Sequence, residues 1–441
     1  MSFLDNILFA LVLVFGIGYF TMNVKKLIRN INLGRDINRK DNSSKRWKNM
    51  AMVALGQSKM VKRPIAGILH IIVYAGFVII NIEVIEIIID GLFGTHRVLS
   101  FMGSFYDVLI ASFEILAVLV LLAVFIFWIR RNIIKLSRFA SSDLTGKPKN
   151  DANYILYFEV VLMTLFLLMN ASDLHLQNIP GGYSHFIKAG SFPISQFIEP
   201  LFNGMSNELV QLLSELFWWM HIIGILVFMN YLYFSKHLHI LLAFPNTYYA
   251  NLNPEGQFDN LASVTNEVKL MMNPNADPFA AAPEATAPAK FGASDVHDLN
   301  WVQLMNAYTC TECGRCTSSC PANQTGKKLS PRKIMMDTRD RLEEVGKNID
   351  ANKGVFVPDN KSLLNDYITP EELWACTSCN ACVEECPVNI SPLSIIMDMR
   401  RYLVMEQSAA PMSLNTMMTN IENNGAPWQY SQQDRLNWKN E

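Results

Sequence analysis

Residues 310–321 read CTECGRCTSSCP, and residues 376–387 read CTSCNACVEECP. Both follow Cys-x2-Cys-x2-Cys-x3-Cys-Pro, and together they use all eight cysteines of the chain. This is the spacing in which thiolates hold [4Fe–4S] clusters, and in two-cluster proteins the fourth cysteine of each run serves the other cluster. One cluster is therefore expected on Cys310, Cys313, Cys316 and Cys386, the other on Cys376, Cys379, Cys382 and Cys320. Paired zinc sites also use Cys-x2-Cys, but they need neither a third cysteine two residues on nor the proline.

Each run is followed by the same element, SPRKIMMDTR from Ser330 and SPLSIIMDMR from Ser391. Serine before proline predicts a helix start, with Ser as N-cap and Pro in the first turn. Ile334 and Ile395 hold equivalent places, as do Met336 and Met397, Asp337 and Asp398, and Arg339 and Arg400. Two cysteine loops, each leading into a helix, predict a duplicated helical ferredoxin module. The 55 residues between the runs favour the larger helical variety over a compact ferredoxin. Arg339, Arg400 and Arg401 read as surface arginines, with electrostatic support of reduced clusters as the alternative.

Upstream the composition changes. Of 441 residues 50% are hydrophobic and 17% charged, against about 25% charged in ordinary soluble proteins. A balance of 37 Lys+Arg against 39 Asp+Glu excludes a strongly basic nucleic-acid binder. The apolar excess lies before about residue 245, in five stretches: Ile7 to Val24, Pro64 to Ile89, Val108 to Ile129, Tyr154 to Asn170, and Leu209 to Phe234. Each approaches or exceeds the roughly 20 apolar residues a helix needs to cross a bilayer. The first is read as a retained helix, because MSFLDN has no basic residue and no small-residue cleavage site precedes Lys25. Residues 25–63 and 130–153 carry eighteen Lys and Arg, the alternate loops only Arg97 and Lys188. That asymmetry predicts an N-terminus outside and the cysteine half in the cytoplasm, where disulfides are not expected. The predicted fold is all-α: a five-helix transmembrane bundle, N-out and C-in, followed by a cytoplasmic dicluster domain.

There are eight histidines. His70 lies near the cytoplasmic end of the second apolar stretch, His221 in the fifth, and His237 and His239 where the fifth reaches the cytoplasm. Along one continuous helix, His221 and His239 would share a face about 27 Å apart. Two neutral imidazoles on facing helices suit a six-coordinate haem iron, and His70 with His239 is the expected pair; hydrogen bonding between helices is the plainer alternative. Without Cys-x-x-Cys-His the haem would be b type, held without covalent attachment. On the same helical phase His237 reads as interfacial, beside Lys236. Glu83, Glu86, Glu114 and Glu159 lie in or near the helices, as candidates for protonating a quinone or as local hydrogen-bonding groups.

His221 followed by FSKHLH at 234–239 resembles the membrane cytochrome b (gamma) subunit of respiratory nitrate reductase, as does the five-helix, N-out topology. That resemblance implies two haems stacked between helices two and five, with His70, His221 and His239 at three of the four ligand positions. The fourth position is Ile80, which cannot ligate iron. One haem is therefore favoured, and His221 either faces a quinone, bonds locally, or pairs with His175 or His185 of the outer loop. From about Asp298 to Gln407, through Leu304, Tyr308 and the first cysteine run to Met399-Arg400-Arg401, the chain resembles the iron–sulfur domain of the heterodisulfide reductase family. In related fused proteins, among them electron-transfer-flavoprotein:menaquinone oxidoreductases, two Cys-Cys-Gly (CCG) domains follow. No Cys-Cys pair follows here, so that chemistry is expected on a separate CCG-type partner chain.

The expected organisation is a transmembrane cytochrome b domain at 1–245, an Ala/Pro-rich linker at 246–295, the dicluster domain at 296–410 and a tail at 411–441. No phosphate loop, flavin motif or hydrolytic constellation stands in the sequence. The expected function is an electron-transfer subunit of a quinone oxidoreductase in the bacterial inner membrane. It would link a cytoplasmic donor, an electron-transfer flavoprotein through the CCG-type partner, to menaquinone. A heterodisulfide or sulfur-metabolism complex running from quinol is one alternative, and a redox-sensing membrane scaffold is the other.

Overall fold

A computed structural model describes residues 3–183, 186–254, 256–274 and 290–440. Among them there is no β-strand, only isolated bridges. Five helices are long and apolar enough to cross a membrane: α1 (Phe3–Ile31), α2 (Pro64–Phe93), α3 (Ser104–Asn132), α4 (Lys147–Gln177) and α5 (Asn207–Tyr231). At 1.5 Å per residue each of the first four is about 45 Å long, more than the ~30 Å hydrocarbon layer. Their ends therefore project beyond the apolar stretches the sequence marks. Leu11, Phe15, Leu122, Phe125 and Leu212 point outward, as lipid-facing side chains do. Inside, Tyr106, Ile110, Phe113, Phe166 and Ile222 form the bundle core.

The helix ends follow local chemistry. Pro64 opens α2, where its missing N–H costs nothing, and Gly94 closes it at φ +69° while donating to the Asp90 carbonyl at 2.8 Å. Ser206 caps α5 by accepting from the Leu209 amide at 3.3 Å.

Helix α5 does not continue to His239. It ends at Tyr231, and after one 3₁₀ turn Ser235 is extended (φ −119°, ψ 153°). A second short turn, Lys236–Leu238, leads into α6 (His239–Tyr248). The backbone groups a continuous helix would satisfy find other partners. The Ser235 hydroxyl accepts from the His237 amide at 3.1 Å. Asp151 of α4 accepts from the Lys236 amide at 3.2 Å and from the Tyr231 hydroxyl at 2.6 Å. The common helical face expected for His221 and His239 is thus corrected, and with it the phase that set His237 apart.

The cysteine half is built on α7 (Trp301–Thr309), α8 (Pro331–Ala351) and α9 (Pro392–Met405). The two predicted Ser-Pro starts form as duplicates: Ser330 accepts from Lys333 N and Ser391 from Ser394 N, each at 3.3 Å. Asn300 and Gln303 make a reciprocal capping box on α7.

The two halves share one apolar core. Leu27 and Ile31 of α1, with Leu238 and Ala243, pack among Leu304, Ile334, Leu342, Ile395 and Met399. Around that core Asn30 donates to Tyr308 at 3.0 Å, Arg332 pairs with Asp143, and Lys62 and Arg63 pair with Glu384 and Glu385. The cysteine half therefore docks on the end of the bundle from which the two basic loops emerge. Most of the Ala/Pro segment predicted as a linker, residues 275–289, lies outside the described residues. Past it, Ala293 donates to the Asp398 carbonyl at 3.0 Å.

Candidate redox sites

The two cysteine runs fold alike. In the first, Glu312 (φ +53°) and Gly314 (φ +73°) take left-handed backbone; in the second, Ser378 (φ +57°) and Asn380 (φ +61°) do so at equivalent positions. Each loop then enters a one-turn helix, Arg315–Ser318 or Ala381–Glu384. The fourth cysteine of each run lies with the other run. Cys320 joins Cys376, Cys379 and Cys382 around one small cavity walled by Leu329, Leu393 and Ile396. Cys386 and Cys310 join Cys313 and Cys316 within mutual electrostatic range.

All eight thiols are free of disulfides. Burial pushes Cys310 and Cys382 up to about 12 and Cys386 up to about 11, with neighbouring sulfurs adding to it. Buried thiols of this kind ionise together only around a cationic centre. Among the described residues no three His, Cys, Asp or Glu side chains converge on a point fit for one ion. The second set surrounds a cavity instead, which suits a cluster better than a single ion. The residues present fit the two clusters.

The histidines gather more closely than the sequence suggests. His239, at the start of α6, places Nδ1 3.0 Å from the Lys236 carbonyl, and its ring lies 5.3 Å from that of His237. With Nδ1 donating to a carbonyl, Nε2 keeps its lone pair, as in metal-ligating imidazoles. Burial lowers the pKa of both His237 and His239, and His237 also feels the charge of His239, Lys236 and His70. His70 of α2 has a buried Nδ1 without a hydrogen-bond partner. His70 and His239 come together as expected, and His237, read from sequence as merely interfacial, joins them. These imidazoles fit a haem iron. His221 stands apart, buried in α5 with Nδ1 3.1 Å from the Leu162 carbonyl, while Ile80 is buried in α2. His175 pairs with Glu199 at 2.6 Å, and His185 lies outside the described residues.

A buried ion network ties the first cysteine loop to the histidine segment. Glu312, between Cys310 and Cys313, pairs with Lys236 and with Arg339, the latter at 2.8 Å. Burial alone would raise the Glu312 carboxyl, but the two cations outweigh it and hold it below its ordinary value. Sequence reading missed this network, because only the break after α5 brings Lys236 to Glu312.

At the far end of the bundle lies a cavity of about 130 Å³ lined by Glu83, Glu86, Asp90, Arg97, Asp173 and Trp218 among others. Arg97 pairs with Asp173 and donates to Tyr106 at 3.1 Å, and Tyr106 donates to Glu86 at 2.9 Å. Oε2 of Glu83, 3% exposed, has no hydrogen-bond partner among the described residues. Glu114 is fully committed to Asn170 and the amides of Ile194 and Ser195.

A 4Fe-4S dicluster domain model matches residues 309–390, which contain all eight cysteines. The chain is 29% identical to the probable iron-sulfur-binding oxidoreductase FadF of Bacillus subtilis, over 99% of this chain and 61% of that protein. It is 25% identical to the EtfAB:quinone oxidoreductase of Syntrophomonas wolfei, over 92% of this chain and 55% of that protein. A heterodisulfide reductase-like protein of Archaeoglobus profundus is 27% identical over 33% of this chain and 64% of its own length. The chain thus spans little more than half the length of the first two relatives. No solved structure matches it. With a dicluster domain docked on five apolar helices, and likeness to iron–sulfur oxidoreductases along nearly its whole length, the chain is a membrane-bound iron–sulfur electron-transfer protein related to FadF and EtfAB:quinone oxidoreductase.

Proposed function

We propose that the chain is the membrane subunit of a quinone oxidoreductase, linking a cytoplasmic flavoprotein, through a CCG-type partner, to menaquinone. When bound, [4Fe–4S] clusters and haem b exchange single electrons. The chain's residues hold and order them. Cys376, Cys379, Cys382 and Cys320 hold one cluster, Cys310, Cys313, Cys316 and Cys386 the other, and His70 and His239 the haem. The observation that carries this reading is the contact between the sites. Glu312, inside the first cysteine loop, grips the Lys236 side chain, and the Lys236 carbonyl faces His239. Cluster loop and haem ligand thereby belong to one rigid unit.

The quinone headgroup is assigned to the cavity at the opposite end. Arg97 and the Asp173 carboxylate give it polar walls, Trp218 and Ile87 apolar ones. Glu83, without a hydrogen-bond partner at Oε2, exchanges the proton that accompanies reduction. In this reading the N-terminus lies outside and the dicluster domain in the cytoplasm, as the eighteen basic residues of the inner loops favour.

The test is stopped-flow spectroscopy on the purified chain in detergent. A naphthoquinol analogue should reduce a b-type haem, and Glu83→Gln should slow this at least tenfold while leaving dithionite reduction unchanged. A haem absent, or indifferent to quinol, would remove the quinone reading and favour a redox-sensing scaffold.

A further inference from the structure

Arg315 is 3% exposed and stands between Gly314 and Cys316 in the first cysteine loop. It donates to the Lys59 carbonyl at 3.1 Å, and a second nitrogen lies 3.4 Å from Sδ of Met60. Both partners belong to the basic loop that leads into α2 and His70. Arg315 pairs with no carboxylate among the described residues. The acidic group whose charge it feels, Glu385, is already bonded to Arg63 at 2.9 Å. A buried guanidinium left unpaired is expensive, and the groups facing it are the sulfurs of Cys313 and Cys386.

Arg138 repeats the pattern. It comes from the second basic loop, faces Cys313, stacks at 4.8 Å on Phe139, and its Nε is buried without a hydrogen-bond partner. Lys59 adds a third cation, donating to backbone carbonyls of Val383 and Glu384 just before Cys386.

The second site is different. Cys379-Asn380-Ala381-Cys382 sets Ala381 where the first loop has Arg315, and Leu393 takes the place of Arg332. Its unpaired cation is Arg400, which is half-buried, donates to the carbonyls of Leu373 and Cys376, and stacks at 4.9 Å on Trp374. Cys379 is exposed to solvent.

We infer that the unpaired guanidiniums of Arg315 and Arg138 hold the cluster on Cys310, Cys313, Cys316 and Cys386, the one beside the bundle, at a higher potential than its partner. This rests on the cysteine assignment under Proposed function. A [4Fe–4S] centre with four thiolates gains a negative charge when it accepts an electron, and a nearby cation in a low-dielectric site favours that form. Water at Cys379 also favours reduction of the second cluster, but it is polarised solvent set against two fixed charges. One electron leaves the second cluster, which is oxidised, and enters the first, which is reduced; no proton and no other reactant is needed. Electrons entering from the donor side then rest next to His70.

The experiment is a potentiometric titration of the full chain followed by electron paramagnetic resonance. Arg315→Gln should move one cluster signal to lower potential, and that signal should be the higher of the two in the unaltered chain. A tenfold change in the electron-sharing equilibrium corresponds to about 59 mV for one electron. Arg400→Gln should move the other signal. Arg315→Lys keeps the charge while losing the fork, so it should stay near the unaltered potential; a purely structural arginine would make Lys and Gln alike. Arg138→Gln gives a second route should Arg315→Gln not fold. Two signals without a selective shift, or a shift of the lower one under Arg315→Gln, would overturn the inference alone. An unaltered chain lacking two cluster signals would overturn the cysteine assignment and the inference with it.

Discussion

Glu312 is the residue on which the junction between sulfur and histidine turns. Its side chain is 3% exposed between Lys236 and Arg339, and removing one partner of such a buried set costs about 3–5 kcal/mol. Glu312→Gln should therefore lower thermal stability by that order, read by calorimetry, and perturb the histidine segment held by Lys236. The pH dependence has a definite sign. The folded carboxyl lies below its unfolded value, so its stabilisation is full above the ordinary glutamate range and is lost as pH falls through the lowered folded pKa. The unaltered chain should lose stability on acidification there, and Glu312→Gln should lose less. Histidine replacement makes a second test: His70→Ala and His239→Ala should each abolish the haem spectrum and leave about eight non-haem irons per chain. A full haem signal in both would end that assignment. The cysteines and these two histidines were legible from spacing and placement alone. His237, Lys236 and Glu312 were not, because their neighbours come from segments 76 or more residues away.

Helices α1 and α8 meet where Asn30 faces Gly346. A Cβ on Gly346 would lie 2.5 Å from Asn30 Nδ2, so the backbone approach needs a residue without one. Arg29 also donates to the Gly346 carbonyl at 3.1 Å and pairs with Asp350. Gly346→Leu should force these helices apart at about 1–3 kcal/mol. The expected outcome is faster proteolytic release of the cysteine half with its iron intact; unchanged proteolysis would show that α1 does not hold the docking. The Ser-Pro helix starts and the five apolar helices could be read from sequence, since caps, proline and hydrophobic runs act within a few residues. The break after Tyr231 could not. Residues 221–239 contain neither Gly-Pro punctuation nor a polar cluster strong enough to mark it, apart from Gly224 and Ser235. The break exists because Asp151, on another helix, accepts the bonds that the chain gives up.

At the scale of the whole molecule, the basic loops serve two ends at once. They carry the charge asymmetry that orients a membrane protein, and they form the seat for the cysteine half through Arg63, Arg138 and Asp143. A reporter fused after Glu441 should be active only in the cytoplasm, and one inserted between Gly181 and Lys188 only outside. The reverse pattern would separate the clusters from cytoplasmic donors. By itself the sequence determined the all-helical class, the five apolar helices, the two cysteine sets and the end of the bundle that carries positive charge. These depend on composition, period and spacing along the chain. Only the tertiary structure decided that His237 stands beside His239 and His70, that Lys236 locks onto Glu312, that Arg315 and Arg138 face the first cysteines without a counter-ion, and that Glu83 opens into a polar cavity. Those outcomes depend on which distant groups share one low-dielectric interior, where an unpaired charge or lone pair must find its partner through space rather than along the backbone.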